Sequence, residues 1–269
     1  MKSLRQTEIS PGYVVYEIDH PACNARIASH GAHLMEWQPK GEDPVIYLSP
    51  EAVFREGKPI RGGIPICWPW FSSHPTDPTK PSHGIARTRF WTLEESSESE
   101  FGIRMLFSLE DDEATRTMWP FPFRFELEVF FGKQLELRLT TNNRSDKPMP
   151  VSGAVHAYFA TKDSRAANVS GLELKSPLRI TEEVEQFFPT LANAVLEEAG
   201  REVHIEKSSL PGTMVWNPWI EKAASFADMP DEDYLRFICI EPMIANPDAV
   251  KIAPGGRFSV TTTVAVSHR

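Results

Sequence analysis

Apolar and polar positions alternate with period two over much of the chain. In 123–131, Phe123, Phe125, Leu127, Val129 and Phe131 point one way, and Arg124, Glu126 and Glu128 the other. That pattern predicts a strand with one buried face. Gly132-Lys133 follows, after which Leu135, Leu137 and Leu139 alternate with Gln134, Glu136 and Arg138. Two alternating runs around a short Gly-containing link predict a hairpin, closed by the turn-rich Asn142-Asn143-Arg144-Ser145. Strands are also predicted over 14–18, 45–48, 103–109, 151–159 and 237–241. A regular one covers 258–266, with Phe258, Val260, Val264 and Val266 opposite Ser259, Thr261 and Thr263. Helices are predicted only at 51–55 and 112–118, and the acidic run Glu94 to Glu100 as a solvated hairpin tip. Many strands separated by turns predict stacked antiparallel sheets, an all-β sandwich. No repeat, low-complexity tract or linker divides residues 1–269, which predicts one domain.

Composition sharpens this picture. The 23 prolines fall mostly between short apolar runs, and proline breaks helix interiors. A net charge of −9 argues against nucleic acid and against an anionic membrane as partner. The basic segment holding Arg55, Lys58, Arg61, Arg87 and Arg89 leaves room for a local anion site. Cys23, Cys67 and Cys239 form no CxxC pair and predict reduced thiols. With no apolar leader and no run near the ~20 apolar residues of a membrane span, the expected location is the cytoplasm.

Candidate chemistry clusters in a few segments. Arg61-Gly-Gly-Ile-Pro-Ile-Cys-Trp-Pro-Trp-Phe71 cannot be ordinary strand. It is either a structural turn packing its aromatics or part of a binding site. Ser82-His-Gly-Ile-Ala-Arg87 offers a histidine and an arginine fork suited to phosphate, or is a surface loop. His156 shares a strand face with Ala154 and Tyr158, where a plain core histidine is the alternative. Glu241 ends an apolar strand before Pro242, so it needs an ion-pair partner or a function. His30, His33, His74 and His83 lack zinc-ligand spacing, and neither a P-loop nor GxGxxG occurs. No metal or other cofactor is expected.

The ordered set Arg61-Gly-Gly-Ile-Pro, Trp68-Pro-Trp-Phe71, His83-Gly-Ile-Ala-Arg87, His156-Ala-Tyr-Phe159, Val215-Trp-Asn-Pro218, Ala227-Asp-Met-Pro230 and Cys239-Ile-Glu-Pro242 spans nearly the whole chain. It resembles the aldose 1-epimerase superfamily, in particular its glucose-6-phosphate 1-epimerase (hexose-6-phosphate mutarotase) branch. The resemblance implies a large galactose mutarotase-like β-sandwich that interconverts sugar anomers, with His156 and Glu241 catalytic. It places Arg61 and Arg87 on the phosphate and sugar, and His83 in the sugar pocket. Glu185 stands where relatives often carry an aspartate that holds sugar hydroxyls, and Ser82 where some carry glutamine. The expected partner is a small hexose 6-phosphate, and the expected state a monomer. A free-hexose epimerase and a non-catalytic carbohydrate-binding module are the rival expectations, since fold does not fix function.

Overall fold

A computed structural model describes residues 1–268. Its largest element is a nine-stranded antiparallel sheet. Within it lies the predicted hairpin, Phe123–Gly132 with Leu135–Asn143, flanked by Gly102–Glu110 and by the central strand Arg257–His268. The register pairs Leu127 with Leu139 and Val129 with Leu137, which puts the large apolar side chains other than Phe130 on one face. Each of Phe123, Phe125, Leu127, Val129 and Phe131 is fully buried. Burying such a side chain contributes about 1.5–3 kcal/mol, so this face dominates the energetics. The opposite face carries ions: Arg124 reaches Glu94, Glu110 and Glu126 at 2.6–2.9 Å.

Besides the pair Met149–Val151 with Val250–Ile252, two smaller sheets complete the core. One is four-stranded, running in order from Leu4–Ser10 to His33–Pro39. The other is six-stranded and includes Val184–Phe188, Gly212–Asn217, Phe237–Ile244, Gly153–Val155 and Ile66–Cys67, with Ala157–Ala160 also paired to Phe237–Ile244. Ile27 and Leu34 from the first, Phe125 and Leu139 from the large sheet, and Ile238 and Ile240 from the second share one apolar cluster. Two indoles tie the layers together. Trp37 Nε1 donates to the Gly132 carbonyl at 3.1 Å, and Trp68 Nε1 to Thr141 Oγ1 at 2.8 Å.

Several local expectations change. Residues 51–55 form no helix: the segment is short, lies between Pro50 and Gly57, and packs only Ala52 and Phe54 on a satellite cluster. The helix at Glu113–Met118 is present, with Asp112 as its cap: its carboxylate accepts from Thr115 N at 2.6 Å. Residues 45–48 make isolated bridges, Ile46 to Phe159 and Leu48 to Gly62, and no full ladder. The acidic run lies largely within the edge strand Thr92–Ser99, and only Glu100 and Phe101 sit at the turn. An edge strand has little to bury, and its charges oppose pairing with a second sheet. The predicted strand 151–159 is divided into Met149–Val151, Gly153–Val155 and Ala157–Ala160. At its two breaks the backbone bonds elsewhere: Ser152 N to Pro69 O and His156 N to Pro65 O, both at 3.0 Å.

Candidate active site

Phe237–Ile244 is the strand on which the site is built, and it is buried along its whole length. Ile238, Ile240 and Ile244 enter the main core. Phe237 and Cys239 face the other way into a cluster with Tyr47, Tyr158 and Met229. Met243 joins a separate cluster with Cys67 and Ala154. Between these two clusters sits Glu241, 1% exposed. A carboxylate placed by strand alternation in an apolar row has few ways to be solvated.

His156 supplies the partner. Its backbone bonds to Pro65, in the Gly- and Pro-rich segment, at the break between two short strands. Its ring stacks on Tyr158 at 5.0 Å with a 6° interplanar angle, so the predicted shared face is present. Nδ1 then lies 3.3 Å from Glu241 Oε1, both side chains being nearly inaccessible. His156 Nδ1 and Glu241 Oε2 have no hydrogen-bond partner in well-aligned geometry. Burial, then the charge of Glu185, raises the Glu241 carboxyl well above its usual range. Burial, then His83, Arg87 and Arg61, pushes the imidazole well below its own. Both directions favour the uncharged forms of the two groups.

The two arginines approach from different segments. Arg61 Nε donates to Asp228 Oδ1 at 3.0 Å and Nη1 to the Tyr158 hydroxyl at 3.3 Å, while its guanidinium lies over Phe226 at 4.1 Å. Next to it, Gly63 has φ +68°, and a Cβ there would come within 2.4 Å of the Leu34 carbonyl oxygen. Only glycine lets the chain pass. Arg87 donates from Nη2 to the Ser82 carbonyl at 3.3 Å, and its buried Nε has no partner. His83 is held at φ 62°, with its ring 6.0 Å from that of His156 and 4.8 Å from that of Phe71. Burial and Arg87 push its imidazole down to about 4, so it is neutral at pH 7. Trp68 and Trp70 are buried packing elements, whereas Arg61 contacts Tyr158 and Phe71 lies against His83.

Glu185 lies in the row of Trp216 and Cys239, two strands from Glu241's own. Its exposed carboxylate faces Lys222 at 3.4 Å and acts on Glu241 through charge. The structure thus brings His83, Arg87, His156, Glu241 and Arg61 together and leaves Glu185 at the edge. Asp228 and Tyr158 were not singled out as site residues by sequence, because their roles depend on contacts 97–167 residues away with Arg61. Their only signal was membership of the matching motifs. Cys239, in sequence a reduced thiol within one of the matching motifs, also comes together with His156 and Glu241. A cavity of about 700 Å³ lined by Trp37, Tyr47, Lys162, Arg201 and Arg236 contains none of the six predicted site residues. No helix among the described residues is long and apolar enough to cross a membrane.

Antiparallel sheets around a buried carboxylate–imidazole pair, flanked by arginines, define a mutarotase-like protein. The chain belongs to the aldose 1-epimerase family, whose profile matches residues 14–194 and 175–265. It is 32% identical to a Salmonella typhimurium protein named "Putative glucose-6-phosphate 1-epimerase", over 92% of this chain and 89% of that protein. A like-named Escherichia coli K12 protein is also 32% identical, over 85% and 82%. A Salmonella typhimurium crystal structure described as a "putative mutarotase" superposes with a TM-score of 0.93 at 28% identity, covering 100% of this chain and 95% of that one.

Proposed function

We propose that this chain interconverts the α and β anomers of a hexose 6-phosphate, with His156 and Glu241 moving the protons. The observation that carries the reading is the buried imidazole–carboxylate pair at 3.3 Å, in which burial favours the uncharged form of each group. Ring opening needs a base on the C1 hydroxyl and an acid on the ring oxygen. As the C1 hydroxyl proton leaves, a C1 carbonyl forms, and the electrons of the breaking ring C–O bond take up the acid's proton. Reclosure on the other face of C1 reverses every transfer.

A one-proton pair serves both halves of this cycle. Glu241 is the base and His156 the acid when the proton resides on the imidazole. Burial favours the opposite starting arrangement in the free site, with the proton on Glu241. Opening exchanges one arrangement for the other and closing restores it, so no net proton is consumed. Positioned acid–base groups of this kind each contribute roughly 10²–10⁴-fold.

Arg61 and Arg87 bind the 6-phosphate, and His83 lines the sugar pocket. Arg87 brings a buried Nε with no protein partner. Asp228 and Phe226 hold the Arg61 guanidinium flat and in place, which limits the entropy lost when it grips an anion. Glu185 tunes the pair by its charge. In this reading the chain is one domain, acts as a cytoplasmic monomer on a small molecule, and uses no cofactor. Two-dimensional exchange NMR on glucose, galactose and mannose 6-phosphates tests it. Cross-peaks between anomers that grow with enzyme support the reading, and unchanged exchange in all three sugars overturns it.

A further inference from the structure

The acid–base pair does not stand alone on its face of the sheet. Cys239 and Glu241 are two residues apart on one strand, so their side chains project the same way. Tyr158 is the register partner of Cys239, and His156 lies two residues before it in the chain with its ring stacked on that tyrosine. As a result a sulfur, a nitrogen and a carboxylate oxygen lie within 4.8 Å of one another, all three residues buried. On these residues, His156 Nδ1 and Glu241 Oε2 are buried without a hydrogen-bond partner.

We propose that Cys239, His156 and Glu241 form an inhibitory site for a thiophilic divalent cation, Zn²⁺ in particular, which on binding takes the proton-transferring pair out of use. Zinc bond lengths of about 2.0–2.3 Å to nitrogen, oxygen and sulfur in a tetrahedron place the donors about 3.2–3.8 Å apart. The His156–Glu241 separation of 3.3 Å already falls there, and the longest edge needs to close by about 1 Å or less. Three protein ligands leave a fourth position for water. Binding releases the thiol proton and the proton of the pair, and thiolate plus carboxylate then match the double charge of the ion. Arg61 and Arg87 oppose a cation here, since both bear on His156 through charge. Hard Mg²⁺, which favours oxygen ligands and gains little from sulfur, cannot offset that repulsion. A soft thiolate bond offsets it for Zn²⁺ or Cd²⁺. Cys239 is thus the residue that decides which metals inhibit.

The inhibition rests on the mutarotase reading, but the binding does not, and two readouts keep them apart. The purified full chain is titrated with Co²⁺, followed by absorbance, and with Zn²⁺ during anomer exchange of glucose 6-phosphate measured by NMR. A thiolate-to-cobalt charge-transfer band at one equivalent, and loss of exchange with Zn²⁺ but not Mg²⁺, support the proposal. Cys239→Ser and Cys239→Ala, checked for folding by thermal melts, should abolish the band. Both should keep metal-free exchange within about twofold and raise the inhibitory Zn²⁺ concentration at least about tenfold, the equivalent of one lost ligand bond. Cys23→Ser should retain the band. A parent protein with no thiolate band, or Cys239 variants inhibited as strongly as the parent, would overturn the site. A band without anomer exchange in any sugar would leave the metal site standing and sink the mutarotase reading instead.

Discussion

The hairpin Phe123–Gly132 with Leu135–Asn143 and the junction of Gly153–Val155, Ala157–Ala160 and Phe237–Ile244 are both antiparallel and both buried, yet they differ in kind. In the hairpin, alternation is strict. One face takes Phe123, Phe125, Leu127, Val129 and Phe131, the other takes ions and the half-buried Phe130, and each residue of Phe123–Phe131 has its register partner in Leu135–Asn143. In the junction both faces are buried, the ladder is interrupted at His156, and a carboxylate stands where an apolar side chain would be more stable. The first region gains stability from each residue. The second gives some up, because an uncompensated buried carboxyl costs free energy. That contrast is expected where local rules are broken for chemistry.

The sharpest way to break the comparison is to remove the chemistry while leaving the fold. Glu241→Gln and His156→Asn are each expected to lower exchange of glucose 6-phosphate roughly 10²–10⁴-fold. Neither should lower the melting temperature, because each removes a buried ionisable group while keeping its approximate shape. The double variant should lose little beyond the worse single one, since the two act as one unit. Near-normal exchange in Glu241→Gln would refute the assignment of the pair.

A mutation in the hairpin should do the reverse. Phe125 is fully buried and stacked on Phe123 at a ring separation of 4.0 Å. Phe125→Ala should cost about 3–5 kcal/mol of stability by denaturant unfolding. Exchange by the folded fraction should stay within about twofold, as expected of distant, independent sites. Loss of turnover in that folded fraction would mean that the two regions are not separable.

Arginine substitutions sharpen the comparison at the rim of the site. Arg87→Ala should raise KM for glucose 6-phosphate about tenfold or more, from the loss of a charge-assisted hydrogen bond. Free glucose should be affected much less, and added salt should weaken binding less steeply than in the parent. Arg61→Ala should behave alike. Equal losses for both sugars would assign these arginines to the ring or the fold and favour a free-hexose epimerase.

The smallest expected effect concerns pH. The one-proton pair loses activity at low pH when a second proton binds, and at high pH when its only proton leaves. The low-pH limb falls well below the usual imidazole value and the high-pH limb well above the usual carboxylate value. Glu185 raises Glu241 by its negative charge, so Glu185→Gln should lower that carboxyl and move the high-pH limb to lower pH. A pH–rate profile showing the limb unmoved or shifted upward would rule out this coupling.

Period-two alternation alone determined the all-β class, the hairpin and the buried face of Phe123–Phe131, because strand side chains alternate whatever surrounds them. The helix at Glu113–Met118 was equally legible, since its Asp112 cap is a local device. The ordered motifs pointed to His156, Glu241, Arg61, His83 and Arg87 as a set. What sequence could not settle was where that alternation stops. Residues 151–159 read as one strand, but the backbone of Ser152 and His156 bonds to Pro69 and Pro65 in a segment some ninety residues earlier. Only the tertiary fold decides such a partner, because hydrogen-bonding groups released from one ladder are satisfied by whatever the topology brings near. The same holds for Asp228 on Arg61, for Cys239 beside the proton pair, and for the charge states of His156 and Glu241. Those charge states follow from burial and from neighbours in other strands, and neither is written in the local sequence.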